Sequence, residues 1–304
     1  MENLIKETPV IVPITLDNKI ISSASEGEFK RIEDKFLVSK KMQDLVFKCL
    51  SQNMDESYLD NDTHFTLIES IYFDSSEITL FKDHFNLLIP KRYKMRVRRY
   101  GPNGIWNTEN YLLEVKSKKE GQCKKVRFTI GQIELDIISA GLQLQLTPRL
   151  IQLNQKMKLE TLQKRVEKVN QLIEHYGLIP SRSVKYKRFA FERNGFRATI
   201  DIDLEEKSLI ELQGINPQVL LQNDIWNKAA LLVLKFKGED KFVLELKHGG
   251  NIPRWAEKML EDYQIAKTSF SKYCYFTARE LKNLHPELNA HIPQIVPEQN
   301  RTIQ

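Results

Sequence analysis

The stretch Arg92-Tyr93-Lys94-Met95-Arg96-Val97-Arg98 decides how this chain folds. Side chains alternate across a β-strand, so Arg92, Lys94, Arg96 and Arg98 share one face, while Tyr93, Met95 and Val97 share the other. Four cations in a row repel one another, and a strand does not need that in order to fold. Similar patterns recur along the chain. Glu114, Lys116 and Lys118 oppose Leu113 and Val115; Lys125 and Arg127 oppose Val126 and Phe128. Arg197, Thr199 and Asp201 oppose Ala198, Ile200 and Ile202; Glu245 and Lys247 oppose Leu244 and Leu246. Near the start, Arg31, Glu33 and Lys35 oppose Ile32 and Phe36.

Any one such strand reads most simply as the solvent face of a half-buried antiparallel sheet. The set reads differently. Clustered cations with one carboxylate, spread over the whole chain, meet in one place if the sheet closes and helices cover its apolar outside. A lumen lined by Arg and Lys is unstable when empty and suits a multivalent anion gripped by guanidinium forks. Arg92, Lys94, Arg127 and Lys247 are then substrate-binding candidates. The interspersed carboxylates Glu114 and Glu245 are candidates to hold a divalent cation shared with phosphate oxygens.

The remaining strands are expected at 29–39, 67–74, 111–118, 124–129, 184–193, 196–204, 231–236 and 241–248. Helices are expected at 40–50, 75–85, 148–176 and 253–267, the third ended by Gly177 and the fourth opened by Pro253. Strands and helices do not alternate strictly, so an α+β fold with an antiparallel sheet is favoured over a parallel one. The expected organisation is an N-terminal arm over 1–28, one domain over 29–284 and a tail over 285–304.

The chain has 304 residues and a net charge of +6, which favours anionic partners without choosing among them. Cys49, Cys123 and Cys274 are far apart and odd in number, so a zinc site is not expected and a reducing, cytoplasmic setting is. No stretch approaches the length of a membrane span. The six His residues show no ligand spacing, and no P-loop or dinucleotide-binding glycine motif occurs. Five lysines between 116 and 125 read either as a solvated hairpin tip or as a lure for anions.

The strand motifs, taken in order, resemble the VTC domain, the polyphosphate polymerase domain of the triphosphate tunnel metalloenzyme (CYTH-like) superfamily. They are Arg31-Ile-Glu-Asp-Lys-Phe36, Ile71-Tyr-Phe-Asp74, Arg92 to Arg98, Leu113-Glu-Val-Lys116 and Lys125-Val-Arg-Phe128. Tyr186-Lys-Arg-Phe-Ala-Phe191, Arg197-Ala-Thr-Ile-Asp201, Leu244-Glu-Leu-Lys247 and Phe270-Ser-Lys-Tyr273 complete the set. The resemblance implies a closed antiparallel eight-stranded β-barrel with surrounding helices. It implies transfer of the γ-phosphate of ATP to a growing polyphosphate chain, with manganese or magnesium. It also implies that Lys35, Arg96, Arg98, Lys116, Lys125, Arg188, Arg197 and Lys272 are phosphate ligands. Tyr186 and Ser271 are implied as supporting hydrogen-bond donors and Glu245 as a metal ligand.

Two departures stand out. Tunnel triphosphatases carry Glu-x-Glu-x-Lys on the first strand, whereas this chain has Arg31, Glu33 and Lys35, which favours the polymerase branch. Two places before Ser271 the family often has a basic residue; here it is Ser269, with Lys267 nearby. A tunnel triphosphatase or polyphosphatase, with water as acceptor, is the nearest alternative. A non-catalytic binder of polyphosphate or nucleic acid is a more distant one, since Tyr93 faces away from the cations and nucleic-acid binding wants aromatics beside them. ATP and polyphosphate are the expected partners, nucleic acid is not, and movement of polymer across a membrane would require a membrane-protein partner.

Overall fold

The computed structural model describes residues 32–57, 64–102, 104–106, 110–120, 122–236 and 240–292. The expected N-terminal arm and Arg31 lie outside these residues, as does most of the tail. The strands are β1 (Ile32–Ser39), β2 (Asp55–Glu56), β3 (Thr66–Asp74), β4 (Lys91–Pro102), β5 (Tyr111–Lys119), β6 (Gln122–Ile130), β7 (Ile179–Arg193), β8 (Phe196–Ser208) and β9 (Lys241–His248). The helices are α1 (Gln43–Asn53), α2 (Thr79–Phe85), α3 (Gln132–Ser139), α4 (Pro148–Leu153), α5 (Leu159–Tyr176), α6 (Pro217–Leu221), α7 (Ile225–Lys235), α8 (Arg254–Asp262) and α9 (Lys272–Leu284).

Eight strands form one antiparallel path, β1-β9-β8-β7-β3-β4-β5-β6, with the short β2 added beside β7. The fold is α+β as expected, but the sheet curls without closing: among the described residues no ladder joins β1 to β6. Both edges that would have met already have partners. On β1, Thr268 N–H donates to the Lys35 carbonyl at 2.7 Å and Phe36 bridges to Lys267. On β6, the Asn154 side chain accepts from Thr129 N–H and donates to the Thr129 carbonyl, each at 2.9 Å, and Arg165 donates to the Arg127 carbonyl at 2.5 Å. A sheet edge left with open N–H and C=O groups must be covered, and here loop and helix residues cover it.

The outward strand faces are apolar and carry helices. Met95, Val97, Leu113, Val115 and Phe128 pack against Leu162, Val166, Val169 and Leu172 of α5. Phe36, Leu244, Leu246, Ala198 and Ile200 pack against Val46 and Leu50 of α1 and Met259 of α8. A third cluster lies on the inward side. Tyr72, Val184, Tyr186 and Val243 meet Trp226 of α7 and Phe276 and Leu281 of α9. Helices α7 and α9 therefore fill part of the curl, and the charged faces line what is left.

Four element readings need correction. The helix expected over 253–267 ends at Asp262, and Lys267 beyond it bridges to Phe36 on the edge of β1. The segment 231–236 is the end of α7, because a short apolar run does not separate a buried helix from a strand. The helix expected over 148–176 is broken between α4 and α5, where Asn154 turns its amide to the β6 backbone. The helix at 75–85 starts only at Thr79: Asp74 accepts N–H bonds from Ser75, Leu80 and Phe81 at 2.8, 2.8 and 2.9 Å and shapes the turn before it.

Candidate active site

A cavity of about 160 Å³ opens on the concave face. Lys35 and Glu33 come to it from β1, Glu245 and Lys247 from β9, and Arg188 from β7. Lys94, Arg96 and Arg98 come from β4, and Glu114 and Lys116 from β5. Phe270, Ser271 and Lys272 arrive with the start of α9, and Tyr72 and Val243 form an apolar floor. Eight basic and three acidic side chains thus surround one small space.

The period-2 pattern explains most of this placement, and cross-strand register explains the rest. Lys35 pairs with Glu245, Arg96 with Glu114, and Lys94 with Lys116. Each carboxylate is held by cations. Glu114 accepts from Arg96, and Glu245 lies 2.7 Å from Lys247 and 3.7 Å from Lys35. Burial opposes ionisation of Glu245, but Lys247, Lys35 and Arg188 hold it well below the usual carboxylate range. Glu33 sits 3.0 Å from Lys35 and 3.9 Å from Lys247. Behind the cavity, Asp201 is fully buried and takes Arg188 Nε and Nη2 at 2.6 and 2.7 Å and Lys272 Nζ at 2.5 Å. Burial works against its charge, yet Arg188 and Lys272 bring it down to about 2.

The cations are not all equally compensated. Lys94 donates to Ser271 Oγ at 2.9 Å, and no described carboxylate lies within ion-pair distance of it. Burial, with Lys35 and Arg96 nearby, pushes its amine down. Burial and Arg96 take Lys116 to about 7. Tyr186 is buried beneath the amine of Lys272, 4.5 Å from the ring centroid, and the guanidinium of Arg188, 5.4 Å from it. Burial would raise its phenol, but Arg98, Arg188 and Lys272 lower it. Its hydroxyl accepts from Arg98 at 3.4 Å. Ser271 is the N-cap of α9 and accepts from Cys274 N–H, so that helix directs its positive end at the same space. A buried, repelled ammonium is a strained ground state that an anion relieves. Lys94→Met is expected to raise the melting temperature of the ligand-free protein and to weaken tripolyphosphate about 10- to 100-fold. Thermal melting and calorimetric titration measure the two, and a lower melting temperature with unchanged affinity would contradict both.

Of the sequence candidates, Lys35, Lys94, Arg96, Arg98, Lys116, Glu114, Arg188, Glu245, Lys247, Ser271 and Lys272 line the cavity, and Tyr186 lies directly behind it. Four do not line it. Arg92 turns to the His84 carbonyl at 2.9 Å. Lys125 and Arg127 stand opposite Lys116 and Glu114 on the edge strand β6, with Lys125 exposed. Arg197 pairs across from Lys247, one row beyond Glu245, and its buried Nε has no hydrogen-bond partner. Lys267 does not replace the basic residue missing at 269. It points to the outer face and joins Asp34 at 2.5 Å, where His248 also approaches at 3.3 Å. Sequence reasoning gave no role to Glu33, Tyr72 or Asp201, although the parity of Glu33 and Asp201 with their cationic neighbours was a usable signal.

The sequence matches the VTC domain family over residues 30–279. The chain belongs to the VTC domain family. Among solved structures it is similar to a Pyrococcus horikoshii protein at 12% identity and a TM-score of 0.40, covering 82% of this chain and 99% of that one. It is also similar to a putative adenylate cyclase from Bacillus halodurans at 12% identity and a TM-score of 0.42, covering 80% and 94%. No curated protein matches it. No helix among the described residues of this VTC domain is long and apolar enough to cross a membrane.

The divalent cation that the sequence resemblance implies has few donors to hold it. Among the described residues no three His, Cys, Asp or Glu side chains gather into a cation cage. Glu33 and Glu245 are near enough to repel each other, and Lys35 and Lys247 flank both. Two carboxylates suit a hard cation only if phosphate oxygens complete its shell. Glu114 is engaged by Arg96.

Proposed function

We propose that this VTC domain is a polyphosphate polymerase, taking the terminal phosphoryl group of a nucleoside triphosphate such as ATP onto the end of a polyphosphate chain. The observation that carries this reading is the convergence of eight cations from β1, β4, β5, β7, β9 and α9 on one cavity with an apolar floor. In the reaction, an oxygen of the acceptor chain's terminal phosphate attacks the γ-phosphorus. The bond from γ-phosphorus to the β–γ bridging oxygen breaks, nucleoside diphosphate leaves, and the chain grows by one unit.

Phosphoryl transfer asks little covalent chemistry of a protein; alignment and charge neutralisation supply the rate. Arg96 and Arg98, side by side on β4, can hold equatorial oxygens with paired N–H donors. Lys272 and Lys35 approach from α9 and β1, so a chain laid between them meets positive charge on several sides. Tyr186 and Ser271 keep Arg98 and Lys94 in place through hydrogen bonds. Glu245, with Glu33 beside it, would hold a divalent cation, which when bound neutralises phosphate oxygens. Glu245→Gln keeps the side-chain shape and removes one charge. It is expected to abolish manganese-dependent turnover and to lower the melting temperature, because Lys247 and Lys35 lose the buried carboxylate they share; an unchanged manganese titration would reject the assignment.

Purified protein incubated with ATP and manganese should yield a ladder of long polyphosphate on a gel, together with ADP. Release of inorganic phosphate without polymer would instead make water the acceptor and the protein a triphosphatase.

A further inference from the structure

The cavity is not the end of the positive charge. Its row Lys94–Lys116 continues across β5 to Lys125, and the next row outward sets Arg92 opposite Lys118 on the same face. Lys91, Lys119 and Lys124 belong to the other face: Lys91 stands opposite Lys119 and lies over the outward Tyr93 ring, and Lys124 is opposite Ser117. Lys118, Lys119, Lys124 and Lys125 are all exposed. Like charges directly opposite in a ladder destabilise it, yet three such pairs adjoin on the inner face, Lys94–Lys116, Lys116–Lys125 and Arg92–Lys118. Among the described ion pairs at these strand ends the carboxylate is Glu120, 3.6 Å from Lys119 and largely exposed. The field is strong enough to be felt by a neighbour: burial, then Lys94, Arg92, Lys118 and Lys35, hold His84 neutral.

We propose that this ladder at the shared end of β4, β5 and β6 is an outer binding track for linear polyphosphate, engaging the units of a chain that no longer fit the cavity. The inference rests on the polyphosphate reading above and extends it to chain length. A cavity of about 160 Å³ holds only a short run of phosphoryl groups, so a longer chain must emerge. At this end it emerges over amines spaced about 4.8 Å apart from strand to strand. The track is flat, contains no aromatic side chain on its inner rows, and reads backbone charge alone. That suits an inorganic polyanion better than a nucleic acid, which gains from stacking.

The test is a length series. Binding of inorganic tripolyphosphate and of polyphosphate of several tens of units is measured by calorimetry for the parent and for Lys118→Gln/Lys125→Gln, both exposed on the inner face. The parent should bind the long chain more tightly than tripolyphosphate, with a steeper salt dependence. The inner-face variant should keep its tripolyphosphate affinity within about twofold and lose about tenfold on the long chain. Lys119→Gln/Lys124→Gln, which removes the same charge from the opposite face of the same hairpin, should keep both affinities. The track is overturned if the two double variants lose long-chain affinity equally, or if the inner-face variant loses none. It is also overturned if a single-stranded oligonucleotide of similar charge binds the hairpin as tightly as polyphosphate. A parent protein that binds tripolyphosphate but gains nothing from length overturns the track alone. One that binds neither ligand removes the polyphosphate reading itself.

Discussion

Arg96→Ala is expected to slow polymer formation by roughly two to three orders of magnitude, the equivalent of about 2–4 kcal/mol of transition-state stabilisation. It should also lower the melting temperature. Repulsion among cations alone gives the opposite sign, since deleting one of several like charges relaxes the rest. The deciding fact is Glu114, which is buried and accepts from Arg96. Removing the guanidinium leaves that carboxylate with only its weaker neighbours, and an uncompensated buried charge is costly. Arg96→Ala/Glu114→Gln should therefore regain much of the stability and none of the activity. Lys272→Ala is the useful contrast. Its partner Asp201 keeps both Arg188 bonds, so activity should fall by a similar factor while the melting temperature moves little. An Arg96→Ala protein that polymerises at the parental rate would remove Arg96 from the mechanism, and one that melts higher would refute the pairing argument.

Arg182→Met carries the largest expected loss of stability, on the order of 3–5 kcal/mol. Arg182 on β7 is 1% exposed and binds Glu206 of β8 and Glu280 of α9. Arg279 secures Glu206 from its other side at 2.9 Å. These pairs strap α9 to the sheet, and α9 is the element that brings Ser271 and Lys272 to the cavity. The methionine variant strands Glu280 and leaves Glu206 with Arg279 alone. Chemical denaturation should show the loss, and Arg182→Met/Glu206→Gln/Glu280→Gln should recover most of it. A midpoint shift below about 1 kcal/mol in the single variant would show the strap to be dispensable.

The inner faces of β1, β4, β5 and β9 were legible from residue parity, because the strand period is two and each cation sits beside an apolar neighbour that must turn outward. Arg96, Arg98, Lys116 and Lys35 follow from that alone. Parity says which face, but not how far along a row the cavity extends, so Arg92, Arg127 and Arg197 were grouped with residues that actually line it. Closure was not legible either. It depends on what the edge backbone of β1 and β6 bonds to, and Asn154, Arg165 and Thr268 carry no strand signal. The apolar run 231–236 failed for a different reason: on the exposed stripe of α7 that runs from Asn227 to Lys235, Leu231 stands where a polar residue would ordinarily mark the helical period. The start of α9 had a readable sign, a serine three residues ahead of the backbone N–H it caps, but its place against the sheet comes from Arg182, far away in sequence.

The pairing of β1 with β9 sets a timetable for the chain as it is made. About 200 residues separate the two strands, so at ordinary rates of synthesis β1 waits on the order of 10–40 s for its neighbour. Over that interval its inner face already carries Lys35 and its outer face Phe36 and Val38, with the backbone open on both sides. Lys267 and Thr268, which cover its second edge, come later still, and Lys272 last. The first strand of the cavity is thus the last to be sheltered, and ribosome-bound chains ending before residue 241 are where a trigger-type chaperone or a mispaired strand would find it.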